Sequence, residues 1–177
     1  MNCIVYIATS LDGYIATKDG GLDWLNSVPN PTHDDYGWAD FNDRIDAILM
    51  GRKTFDFVVS FGGWLYEKPV HVLSSTLTEM PERLADKATL HHGPIPEVLA
   101  KLSDQGVKNL YVDGGQLISS LLREDLVDEM IITRVPILLG SGIPLFSESG
   151  EEKAFIHQKT EMLGDALTKS YYLRKRD

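Results

Sequence analysis

Apolar positions along this chain fall in short dense runs, separated by stretches with helical spacing. Cys3-Ile4-Val5-Tyr6-Ile7 opens a nearly continuous apolar strand over residues 3–9, the pattern of a strand covered on both faces. Ser10-Leu11-Asp12-Gly13-Tyr14-Ile15-Ala16 follows, then a polar turn at 18–21 and a loop through Pro29, Asn30 and Pro31. A helix is expected from Asp34 or Asp35 to Ile45, because acids favour the N-terminal end of the helix dipole. Beyond it the pattern predicts strand 46–50, helix 53–60, strand 69–73 and an irregular connection. Pro94 and Pro96 introduce a helix over 95–104, since proline is tolerated in a first turn. Strand 108–113 and helix 116–123 come next. This alternation gives right-handed crossovers and a mainly parallel α/β sheet with helices on both faces. After Asp125 the rhythm changes. Asp128–Val135 and Leu167–Leu173 read as strands joined through the Gly/Pro-rich segment 136–144, so antiparallel strands are expected to close the sheet at the C-terminus. Without a repeat or linker, residues 1–177 are read as one domain.

Composition narrows this picture in two ways. The net charge of −9 argues against non-specific nucleic-acid binding, so an anionic ligand would have to be held by local donors. The single cysteine, Cys3, excludes an internal disulfide framework and a Cys-based zinc site, and its apolar run makes it a small core residue. His33, His71, His91, His92 and His157 have no metal spacing, so no metal is expected, and the adjacent His91 and His92 read as exposed. The chain starts directly in an apolar strand with no basic leader and carries no membrane-length run. The expectation is therefore a cytoplasmic protein without membrane or nucleic-acid partners.

Candidate chemistry sits at three strand ends. Ala47-Ile48-Leu49-Met50 runs into Gly51-Arg52-Lys53-Thr54, Val70-His71-Val72-Leu73 into Ser74-Ser75-Thr76, and Leu110-Tyr111-Val112-Asp113 into Gly114-Gly115. The first and third turns open helices, where free backbone N–H groups and the helix dipole favour phosphate. Three such turns suggest a ligand with several phosphates, of which a dinucleotide is the obvious example. No Ser-His-Asp or Cys-His set can be assembled, so hydrolase chemistry is unsupported.

Met50-Gly51-Arg52-Lys53-Thr54-Phe55, Leu73-Ser74-Ser75 and Val112-Asp113-Gly114-Gly115, in this order, resemble dihydrofolate reductase. The opening strand, the loop ending at Trp24 and the final Ser170-Tyr171-Tyr172-Leu173 fit the same frame. Residues 10–16 and the run from Leu126 to Phe146 are more similar to the reductase domain of riboflavin-biosynthesis proteins and its stand-alone relatives. The resemblance implies a dihydrofolate reductase-like three-layer fold binding NADPH along strand ends. By motif it implies that Gly51, Arg52 and Thr54 hold the pyrophosphate and adenine-side ribose. Ser74 and Ser75 would meet the adenosine 2′-phosphate, and Gly114 and Gly115 would let the backbone approach the diphosphate. Ala8, Ile15 and the loop to Trp24 would flank the nicotinamide. An acid before the glycine turn faces the substrate in the riboflavin-type enzymes, and Asp113 stands there as the implied catalytic group. Gln116 departs from the third glycine often found after that pair.

Each assignment has a plainer reading beside it. Arg52 could hold a surface carboxylate, Ser74 and Ser75 could simply end a strand, and Asp113 could cap a helix. Trp24, like Trp38, is a residue type that more often packs than binds, and the loop at 140–142 fits either a substrate mouth or a subunit contact. Assembly is left at monomer or homodimer. The expected function is NADPH-dependent reduction of a small heterocycle, pyrimidine or pterin-like, as in 5-amino-6-(5-phosphoribosylamino)uracil reductases. Dihydrofolate reductase itself, which needs an acid on the first helix, and a non-catalytic nucleotide-binding protein are the alternatives.

Overall fold

The computed structural model describes residues 1–147 and 151–176. Its elements are β1 (Asn2–Thr9), β2 (Tyr14–Ala16), a 3-10 turn at Asp23–Ser27, α1 (Trp38–Arg44), β3 (Ala47–Gly51), α2 (Arg52–Ser60) and β4 (Val70–Leu73). Then follow β5 (Ala88–His91), α3 (Ile95–Asp104), β6 (Asn109–Asp113), α4 (Gly115–Arg123), β7 (Glu129–Arg134), β8 (Ile143–Pro144), β9 (Phe155–Leu163) and β10 (Leu167–Arg174). Eight strands form one sheet in the order β5-β4-β3-β6-β1-β7-β10-β9, and β2 and β8 pair separately. Strands β1 and β3 to β7 are mutually parallel; β10 runs antiparallel to β7 and to β9. The C-terminal ends of the six parallel strands therefore share one edge of the sheet, where open α/β folds place their ligands.

Alternation along the central strands assigns the two faces. Cys3 and Val5 join Leu110 and Val112 under α3 and α4, with Leu102, Ile118 and Leu121 fully buried. Ile4, Ile48, Met50 and Tyr111 face the opposite way, against Phe41 of α1 and Phe55 of α2. Helices thus cover both faces, as expected of a dihydrofolate reductase-like sheet.

Two expectations change. The first helix starts at Trp38, not at Asp34 or Asp35, because His33, Tyr36 and Gly37 adopt positive φ (52°, 54° and 78°) that no helix accommodates. Asp35 instead accepts from the amides of Gly37 (2.8 Å) and Ala39 (2.9 Å), and Asp34 accepts from that of Tyr36 (2.6 Å). Strands β5 and β9 also stand where no strand was expected. Strand β9 is the outer edge of the sheet, and most of its residues are exposed, so it lacks an apolar pattern. No helix among the described residues is long and apolar enough to cross a membrane.

Candidate active site at the strand ends

The three turns lie on adjacent strands, β4, β3 and β6, with Gly51 opposite Leu73 and Met50 opposite Asp113. Gly51 precedes α2 and Gly114 precedes α4, and neither helix has a side-chain cap on its first amides. Uncapped first-turn amides leave backbone donors free at both helix starts. The two turns touch. Gly114 adopts φ 102°, and a Cβ there would collide with Thr54 Oγ1 and stand 3.9 Å from the Gly51 amide nitrogen. A Cβ on Gly115 would come within 2.7 Å of Ile15 Cδ1. The fold therefore brings Gly51, Thr54, Gly114, Gly115 and Ile15 together; Gly114 is required by its backbone conformation and packing, whereas at Gly115 the only close contact is the tip of the Ile15 side chain.

The loop carrying Ile15 is anchored from below. Ser10 donates to Asp12 (2.6 Å), and Asp12 accepts from the amides of Leu139 (3.2 Å) and Gly140 (2.8 Å). Gly142 abuts the Ala16 carbonyl, where a Cβ would clash. Asp12 and the 140–142 loop thus hold β2 and β8 over the α4 N-terminus. Ala8 pairs with Thr133 near the end of β1.

Other candidates sit apart or are occupied. Trp24 is buried with Val135 and Leu167, and its indole N–H has no partner among the described residues. The Arg52 Nε donates to Asp56 at 2.7 Å, an ordinary pair one helical turn apart. Ser74 Oγ accepts from the amides of Thr76 (3.1 Å) and Leu77 (2.9 Å), so its hydroxyl serves the turn, while Ser75 is exposed.

Asp113 has the most unusual surroundings of these residues. Burial pushes its carboxyl pKa up to about 6, against the opposing pull of the Gly114 amide and of the Tyr111 hydroxyl, which also donates to the Tyr6 carbonyl at 3.2 Å. Its charge in turn helps raise the pKa of Tyr66, after burial. Tyr111 lies two residues earlier on the same face of β6, inside an aromatic layer with Phe41 (5.3 Å between centroids) and Trp38 (6.0 Å). Period-two spacing could have placed Tyr111 beside Asp113; nothing local in the sequence marks Tyr66. The acids of α1, Asp40 and Asp43, are exposed, and Phe41 is the residue the helix buries.

A family model of the RibD C-terminal domain matches residues 2–168. The chain belongs to that family. It is a riboflavin-pathway-type reductase family. The chain is 51% identical to a putative riboflavin biosynthesis protein from Shewanella sp. PV-4, with a TM-score of 0.96 over 99% of this chain and 100% of the other. It is 34% identical over 172 residues, 95% of each chain, to the uncharacterized protein YwjB of Bacillus subtilis strain 168. Dihydrofolate reductase from Enterococcus faecalis, solved as a complex with NADP(H) and RAB-propyl, aligns with a TM-score of 0.67. At 18% identity over 99% of this chain and 97% of the other, that likeness is one of fold.

Proposed function

We propose that the chain is a single reductase domain that uses NADPH to reduce a small heterocycle of the pyrimidine or pterin kind. The observation that carries this reading is Asp113, a carboxyl with pKa about 6 one residue before the α4 N-terminus and in register with the end of β3. A carboxyl titrating near neutrality can both hold a substrate N–H and give up a proton.

The residues fit the cofactor. Two uncapped helix starts on adjacent strands, at Gly51 and Gly114, supply the backbone donors a diphosphate requires. Thr54 stands between them, and Arg52 adds a nearby cation. Ser75, exposed at the end of the neighbouring strand, is the hydroxyl open to a 2′-phosphate, because Ser74 is buried within its own turn. Ala8 and Ile15 would border the nicotinamide, whereas Trp24 is packed against Val135 and Leu167. Bound there, the dinucleotide would supply the hydride. Asp113 would orient the heterocycle and pass it a proton, with Tyr111 and the Gly114 amide stabilising the carboxylate left behind.

The exposed acids of α1 favour this reading over a folate enzyme. NADPH oxidation followed at 340 nm against a panel of pyrimidines, pterins and dihydrofolate tests it. Turnover with a pyrimidine or pterin supports the proposal, turnover with dihydrofolate alone replaces it, and NADPH binding without any turnover returns the non-catalytic alternative.

A further inference from the structure

Lys169, on β10, is 2% exposed. Its ammonium donates to the Tyr6 hydroxyl at 3.1 Å and to the Tyr36 carbonyl, and sits 5.1 Å from the centre of the Tyr6 ring. Both acceptors are neutral. Among the described residues no carboxylate forms an ion pair with it. The acids nearby are committed elsewhere: Asp35 to the Gly37 and Ala39 amides, Glu161 to the Tyr171 hydroxyl (2.5 Å) and to Lys159 (3.1 Å). A buried cation without a counter-ion is costly, and two neutral acceptors leave one of its three N–H donors unspent.

Lys169 is among the residues lining a cavity of about 360 Å³ between α1 and strands β9 and β10. Tyr6, Phe41 and Tyr171 give the cavity aromatic walls, and Ile131 and Leu163 aliphatic ones. Its other cations are occupied, Arg44 by Glu129 and Lys159 by Glu161. Asp40 and Glu161 also line it. One cation without an ion-pair partner, beside two carboxylates, suits a monoanion better than a phosphate dianion. Aromatic walls suit a flat ring.

We propose that this cavity binds a small aromatic or heteroaromatic carboxylate, whose carboxylate pairs with Lys169 while its ring packs against Tyr6 and Phe41. Gly37 belongs to the same design: a side chain there would stand 3.1 Å from Nζ, and its left-handed backbone follows the Tyr36 carbonyl that grips the ammonium. Burial lowers the lysine pKa, opposed by Glu161 and Asp35 and assisted by Lys159. The groups facing it are Tyr6 from β1, Glu161 and Lys159 from β9, Asp34 and Asp35 from the loop before α1, and Asp40 and Arg44 from α1.

Benzoate and inorganic phosphate are the probes, read by calorimetric titration of the whole chain and by melting temperature. Neither readout uses NADPH or turnover, so failure here says nothing of the reductase assignment. Benzoate should bind saturably and raise the melting temperature, phosphate should not, and Lys169→Met should weaken benzoate roughly ten-fold or more, the worth of one charge-assisted bond. Should that variant not fold, a pH series on the unaltered chain decides. Benzoate stays ionised while Lys169 loses its proton, so affinity must fall as pH rises, beginning below the ordinary lysine range. Absent benzoate binding, preference for phosphate, undiminished binding to Lys169→Met, or a flat pH series would each overturn the proposal.

Discussion

Asp113 is held between two opposing influences, and its behaviour under substitution separates them. Burial favours the neutral acid, whereas the Gly114 amide and the Tyr111 hydroxyl favour the carboxylate. Asparagine keeps an acceptor for both donors but cannot exchange a proton. Asp113→Asn should therefore lower turnover by roughly 10²-fold or more, the usual scale of a positioned acid, while the NADPH dissociation constant barely moves. If the protonated acid is the donor, activity of the unaltered protein should decline as pH rises through about 6, and that limb should disappear in the variant. Steady-state kinetics across pH provide the check, and a variant with normal turnover would reduce Asp113 to a cap. Gly114 is decided by sterics. Alanine there must adopt φ 102° and collide with Thr54 Oγ1. The backbone strain alone costs about 1–3 kcal/mol. Gly114→Ala should lower the melting temperature and weaken NADPH roughly ten-fold or more, through displacement of the α2 and α4 amides. Fluorescence titration beside thermal melting measures both, and a variant that melts early yet binds normally would detach the turn from the cofactor.

At the scale of elements, the parallel strands other than β5, and the helices between them, were legible, because period-two and period-3.6 patterns report burial directly. Helix α3 is found at Ile95–Asp104, the span its prolines and apolar spacing imply. Strand β9 was illegible for the same reason: an edge strand with few buried residues leaves no period to read. The start of α1 was misplaced because acids before a helix can cap a turn as readily as begin one, and only the positive φ of Tyr36 and Gly37 distinguishes the two. The histidines show the limit of local reasoning. His71 on β4 and His91 at the end of β5 are buried with ring nitrogens 2.9 Å apart, a contact that depends on strands 20 residues apart in sequence lying side by side. Burial, with help from His91 and Lys101, lowers the His71 pKa to about 4. An imidazole kept neutral by the fold stabilises it fully above its unfolded pKa near 6.5, and that contribution fades as pH falls toward about 4. Melting temperature should drop over that window, and His71→Asn, which can still bond His91, should flatten the drop. An unchanged slope would mean that the pair opens to water.

Across the whole molecule these two buried titrations oppose each other. Asp113, with a raised pKa, adds stability below about pH 4 that is lost as pH climbs through about 6, the reverse of His71. The same strand-end geometry that lifts one carboxyl also organises the three turns, and their order along the edge, β4 then β3 then β6, has a consequence for cofactor choice. A dinucleotide whose diphosphate lies on the α2 and α4 amides has its adenosine end toward β4 and Ser75. The fold there exposes one hydroxyl instead of two, since Ser74 is buried and holds the turn by accepting from the Thr76 and Leu77 amides. Arg52, one strand away, is held by Asp56 in an exposed pair worth little and easily exchanged. Preference for NADPH over NADH should accordingly be modest, about ten-fold from a charge-assisted bond of roughly 1.5 kcal/mol. It should shrink as salt rises, because the cation involved is exposed. Ser75→Ala should remove most of the preference and leave NADH binding unchanged, while Ser74→Ala should weaken both cofactors together by loosening the turn. Titrating both cofactors against the two variants checks this: a preference lost with Ser74 but not with Ser75 would show that the turn has to reorganise before the cofactor binds.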